Sequence, residues 1–281
     1  MDNQTLYDWA YQILFSEKME NKLRSFNDNL HLGLLDPSFF KPIIKPVMPG
    51  RLKEHQFSSK QYKFPKKNKL DQKENLAIAM HAFANHELLA IELMALAILV
   101  LPHETLEEKK WKIGIVQSLK EEQEHFKMYV GRMQECGFTF GAFPLSGFFW
   151  ERANQFTSFA QYCAIMSLTL EAANLDFAHY YANVFRELND FKTASILEKV
   201  LEDEITHVKF GVRLLNKLKN NQPLFDYYQS LLPFPLTPAR AKGIDFQESL
   251  RFASGLDQSF IDAIKTFDDE FKITKRRNNS I

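Results

Sequence analysis

The chain has 281 residues, 45% hydrophobic and 25% charged, the balance of an ordinary globular protein. Lys plus Arg equals Asp plus Glu at 35 each, which excludes attraction of nucleic acid by whole-chain charge. Two cysteines, Cys136 and Cys163, exclude a disulfide framework.

The first residues, Met1-Asp2-Asn3-Gln4, lack the basic and apolar regions of a signal peptide. The most apolar run, residues 93–101, falls short of the ~20 needed to span a bilayer. A cytoplasmic, reduced protein with no membrane partner is expected. Residues 5–24 read as an amphipathic helix, with Leu6, Trp9, Ala10, Ile13 and Leu14 on one face and Thr5 and Asp8 placed as a capping box. Pro37, Pro42, Pro46, Pro49 and Pro65 rule out long helices over 31–70, which read as an extended arm. Its end, Lys60 to Lys69, carries five lysines around Tyr62 and Phe64. A solvated loop is the plainer reading of that stretch, and a nucleic-acid contact the alternative.

Four long helical patterns follow, at about 74–100, 107–136, 159–188 and 191–218, with turns at Pro102 and Asn189-Asp190 and a stop at Gly137. The link over 137–158 is rich in Phe and Gly and long enough to cross a bundle. It reads as an aromatic cap or as a lid hinged at Gly137, Gly141 and Gly147. A short helix and a loop punctuated by Pro223, Pro233, Pro235 and Pro238, then one or two further helices within 245–271, are expected before a basic tail at Lys275-Arg276-Arg277. The fold class is all-α: a four-helix bundle with a long crossover (71–220), an N-terminal helix and proline-rich arm (1–70), and a C-terminal helical extension (221–281), as one structural unit.

The chemistry lies in a repeat. Glu122-x-x-His125 and Glu204-x-x-His207 each place a carboxylate and an imidazole about 300° apart on a helix, and so on nearly one side. Each pair follows a helix with a Glu in an apolar stripe. Glu171 shares its stripe with Ala164, Ser167, Leu175, Ala178 and Ala182. On the first bundle helix both Glu87 and Glu92 qualify. Hairpin symmetry selects Glu87, because Glu87 and Glu122 centre on the Pro102 turn as Glu171 and Glu204 centre on Asn189-Asp190. Glu122 follows Glu87 by 35 residues, and Glu204 follows Glu171 by 33. These stripes supply no Lys or Arg, and an ionised carboxylate in such a stripe is costly unless paired or metal-bound. One Glu from each of two helices and Glu-x-x-His from each of the other two is the ligand inventory of a dinuclear carboxylate site. The expected ligands are Glu87, Glu122, His125, Glu171, Glu204 and His207, around two iron ions or an iron/manganese pair. From that architecture Glu122 and Glu204 are expected to bridge, and Glu87 and Glu171 to be terminal. Glu92, His81 and Asn85 are expected beside the ligands. Glu121 and Asp203, four residues before the two histidines, are placed to accept an imidazole N–H or to face solvent.

At these residues the chain resembles the ferritin-like superfamily. Glu87-Leu88-Leu89-Ala90-Ile91 is similar to the first-helix Glu motif of bacterioferritins, and the two Glu-x-x-His pairs match that superfamily's ligand pairs. More closely, the chain resembles an uncharacterised bacterial ferritin-like family, related by fold to rubrerythrin and to tRNA hydroxylases that act on a methylthio-isopentenyl-adenosine. Met48-Pro49-Gly50-Arg51, the segment from His81 to Leu93, Gly141-x-Phe143-Pro144, Gly147-x-x-Trp150-Glu151, Leu170-Glu171-Ala172 and Asp203-Glu204-x-x-His207 carry that likeness. It implies a fold and a metal site but no substrate.

The function expected is an O2-activating oxidase or hydroxylase acting on a small molecule, with an electron donor. A metal-storage protein is the alternative. The long arm and C-terminal extension weigh against it, since such decoration interferes with packing into a shell. An RNA-modifying hydroxylase is a further alternative, resting on fold analogy and the Lys60–Lys69 stretch.

Overall fold

The computed structural model describes residues 5–26, 43, 47–60 and 63–268. Pro37, Pro42, Pro46, Tyr62 and the basic tail at Lys275-Arg276-Arg277 lie outside the described residues. Those described are all-α, with an isolated bridge between Phe57 and Leu145 in place of any strand. They fall into two compact units: Met1–Phe159 with Val184–Ile196, and Ala160–Asn183 with Leu197–Ile281.

The first unit begins with α1 (Leu6–Phe15), capped as expected: Asp8 N–H donates to Thr5 Oγ1 and Thr5 N–H to Asp8 Oδ2. The single helix expected over 5–24 is two, because Ser16 turns extended before α2 (Met19–Lys22). The Ser16 hydroxyl accepts from Lys18 N–H and Asn21 Nδ2, a local alternative to the helical ladder. The Leu14 carbonyl left over at the end of α1 accepts from Gly50 N–H at 2.8 Å. A Cβ on Gly50 would lie 2.0 Å from the Phe15 oxygen, so the arm docks there through glycine alone.

Helices α3 (Lys73–Val100) and α4 (Leu106–Glu135) pack as a hairpin. By length and composition α3 is apolar enough to cross a membrane, yet 78% of its most apolar window is buried within the protein, as in a core helix. A capping box that the sequence reading missed, Thr105 with Glu108, starts α4. At its other end Gly137 stops the helix with φ +89°, as expected.

The crossover is not the bare loop expected, since it holds a short α5 (Phe148–Ala153). It is tied down along its length. Gly141 N–H donates to His81 Nε2 (3.2 Å), Asn85 Nδ2 to the Ser146 carbonyl (3.0 Å), Ser58 N–H to the Leu145 carbonyl (2.9 Å) and Trp150 Nε1 to the Val47 carbonyl (3.0 Å). Phe140 stacks on His81 and meets Phe126 edge-on. The turn of the second hairpin also lies in this unit. Asn189 takes a left-handed φ of 61°, and Arg132 on α4 donates to Thr193 and Asp190.

The second unit holds most of α6 (Phe159–Ile165), which continues through a π-helical segment, Met166–Glu171, into α7 (Ala172–Glu187). Helix α8 (Phe191–Leu218) follows the turn. The extension adds α9 (Leu224–Leu231), a 3-10 turn (Pro238–Ala241), α10 (Glu248–Ala253) and α11 (Gln258–Thr266), the three α-helices where short helices were expected.

Candidate metal centre

In the first unit α3 contributes Glu87 and α4 contributes Glu122 and His125. One ligand atom from each lies within 4.8 Å of the others. All three are buried, at 4%, 1% and 1% exposure. His125 Nδ1 is 3.3 Å from Glu122 Oε2, the meeting that i,i+3 spacing imposes. Two carboxylates this close in a low-dielectric interior repel unless a proton or a cation lies between them. Oxygen donors with one imidazole suit iron or manganese, so the group could hold such an ion.

In the second unit Glu171 closes the π-helical segment, and Glu204 and His207 lie on α8, all three buried. His207 Nδ1 is 3.4 Å from Glu204 Oε2. Asn174, one turn after Glu171, donates Nδ2 to Glu204 Oε1 at 2.7 Å. Burial pushes the Cys163 thiol well above its usual range, with Glu171 as a second cause, so that cysteine is inert at neutral pH.

The π-helical segment is held from several sides. Thr169 Oγ1 donates to the Ala164 carbonyl five residues back (2.7 Å) and meets the buried Tyr228 hydroxyl at 2.8 Å. Gly211 on α8 lets Ser167 close in, since a Cβ there would lie 2.3 Å from Ser167 Cβ. The small residues of this stripe thus serve close helix approach at Ser167. Just past Glu171, the Ala172 carbonyl accepts from Arg251 Nη2. Arg251 is paired with Asp176 at 2.6 Å, and Asp176 also accepts the Gly243 and Gln247 N–H groups.

The residues expected beside the ligands have partners of their own. Glu92, fully buried, pairs with Lys22 (2.9 Å) and Arg51 (2.6 Å). The stripe of α3 holds no cation; both come from the N-terminal segment, a source the helical wheel does not show. His81 and Asn85 hold the crossover through Gly141 and Ser146. Burial, with His55 nearby, lowers the His81 pKa to about 4, so the ring stays neutral and its Nε2 accepts the Gly141 N–H. Glu121 accepts from Gln117, and Asp203 from Lys199. On the lysine-rich stretch, Lys67 pairs with Glu187 on the surface, and the Phe64 ring lies against Phe83. Sequence reasoning missed Asn174 and Lys22. Asn174 stands three residues after Glu171, and that spacing was its only signal.

Residues 14–262 match one protein family, described as protein of unknown function (DUF455). The chain belongs to this family. Every expected metal ligand lies inside the matched region, as do Lys22, Arg51 and Arg251. No curated protein and no solved structure matches the chain.

Proposed function

We propose that this member of the family is a dinuclear iron carboxylate protein on a ferritin-like four-helix bundle, and that it activates O2 to oxidise a small molecule. The observation that carries this reading is the buried Glu87–Glu122–His125 group. The second Glu-x-x-His pair, with Glu171, repeats the pattern and supplies the other ligands, Glu171, Glu204 and His207.

Iron, when held by these residues, would supply electrons for the reduction of O2. The chain does the rest. The carboxylates balance the charge of the ions, and the histidines bind as neutral imidazoles. Burial of all six side chains keeps bulk water from the reacting groups. Tied to α3 through His81 and Asn85, the crossover covers that face of the helix.

The test is anaerobic loading of the full chain with ferrous iron, desalting, and exposure to O2. About two ions per chain are expected to remain, with O2 consumed stoichiometrically on exposure. Glu122→Ala should lose metal from both positions. A parent protein that retains no iron after desalting defeats the proposal. Uptake of many ions per chain into a mineral would instead make it a storage protein.

A further inference from the structure

Asn174 lies on α7, one helical turn after Glu171, and half-buried. Its Nδ2 is 2.7 Å from Glu204 Oε1, the length of a charge-assisted hydrogen bond. The opposite amide orientation would set Oδ1 against a carboxylate oxygen, so the donor assignment follows from the chemistry. The other oxygen, Oε2, is the one beside His207 Nδ1, at 3.4 Å. The two oxygens of Glu204 therefore have different tasks. One receives an N–H from the protein and the other is presented next to an imidazole.

We propose that Asn174 is a positioning residue that fixes the Glu204 carboxylate so that Oε2 is presented, beside His207, to a metal ion. This rests on the metal-binding reading above. The hydrogen bond takes one lone pair of Oε1 and holds the carboxylate at a fixed angle. Glu171 and Asn174, at i and i+3, share a side of the helical run. The π-helical segment that sets Glu171 thus also sets the residue that orients Glu204.

The probe is cobalt(II), added to the full-length protein in place of iron. Its visible absorption reports ligand number. The infrared carboxylate bands report denticity, since a one-oxygen carboxylate splits more widely than one using both oxygens. The helix propensity of Ala exceeds that of Asn, so Asn174→Ala is expected to fold. It should bind cobalt about 10–100-fold more weakly, the usual effect of losing a partner of a ligand. One carboxylate splitting should change as Glu204 loses its fixed orientation. Asn174→Leu, close to the amide in shape but without the N–H, should change in the same way. Wild-type affinity and spectra in both variants would overturn the inference. So would a change in Asn174→Ala that Asn174→Leu lacks, since that is an effect of volume. If wild-type protein takes up no cobalt, the metal-binding reading itself falls, and the inference with it.

Discussion

Lys112 lies on α4, ten residues before Glu122, and is fully buried. Its Nζ is 2.7 Å from the Ile98 carbonyl and 3.1 Å from His103 Nδ1. Burial drives its pKa down to about 7, against an opposing pull from Glu108. Below pH 7 both folded and unfolded chains carry the proton, and the folded state bears the full desolvation cost. Between about 7 and the ordinary value of 10.5 the unfolded chain holds a proton that the folded one lacks. Stability from this group therefore rises with pH across that window, by at most about 1.4 kcal/mol per unit. Urea unfolding of wild type and Lys112→Met at pH 6, 8 and 9.5 measures it. The stability of wild type relative to the variant should grow from the first pH to the last, and a constant difference would contradict the assignment.

Among the elements, the run from α6 to α7 does the most to place the candidate ligands. An uninterrupted α-helix over 159–188 was expected. The π-helical segment instead shifts Glu171 in register relative to the start of the run, and such segments are frequent at functional sites. The segment depends on the gap at Gly211. We expect Gly211→Ala to cost about 1–3 kcal/mol in urea unfolding, the usual range for overpacking. Iron retention should also weaken, since Ser167 leads directly to Glu171. Ser167→Gly in the same chain should restore part of both. Recovery of stability without recovery of metal would separate the packing of the segment from its service to the site.

On the scale of the whole molecule, buried charge pairs join segments far apart in sequence. Glu92 binds Lys22 and Arg51 over 70 and 41 residues, and Asp176 binds Arg251 over 75. The first pair of contacts fastens the N-terminal helix and arm to α3. The second fastens the C-terminal extension to α7. Removing one partner of such a group leaves a buried charge uncompensated, at a cost of about 3–5 kcal/mol. Glu92→Gln should therefore lower the unfolding midpoint sharply, while the fraction that stays folded retains its iron. A well-folded Glu92→Gln protein that binds no iron, beside a Glu87→Gln protein that keeps it, would show that Glu92, rather than Glu87, is the ligand on α3.

What the chain determined by itself is local. The ends of α3, α4 and α8, the capping box at Thr5, the stop at Gly137 and the i,i+3 meeting of His125 with Glu122 all follow from spacing and cap chemistry over a few residues. The approach of Glu87 to that pair was legible because two helices joined by a short turn must lie side by side. Tertiary structure alone decided the rest. Glu87 and Glu92 are both acids in apolar stripes of one helix, and only the folding of Lys22 and Arg51 onto α3 gives Glu92 its cations. The break at Ser16 was hidden because a serine inside an amphipathic pattern is tolerated, and here its hydroxyl and the docking of Gly50 tip the balance. The π-helical segment was hidden for a similar reason. Met166 to Glu171 are ordinary helix residues, and the extra residue in the turn is held by Gly211, Tyr228 and Arg251, 40 to 80 positions downstream, which no local pattern can report.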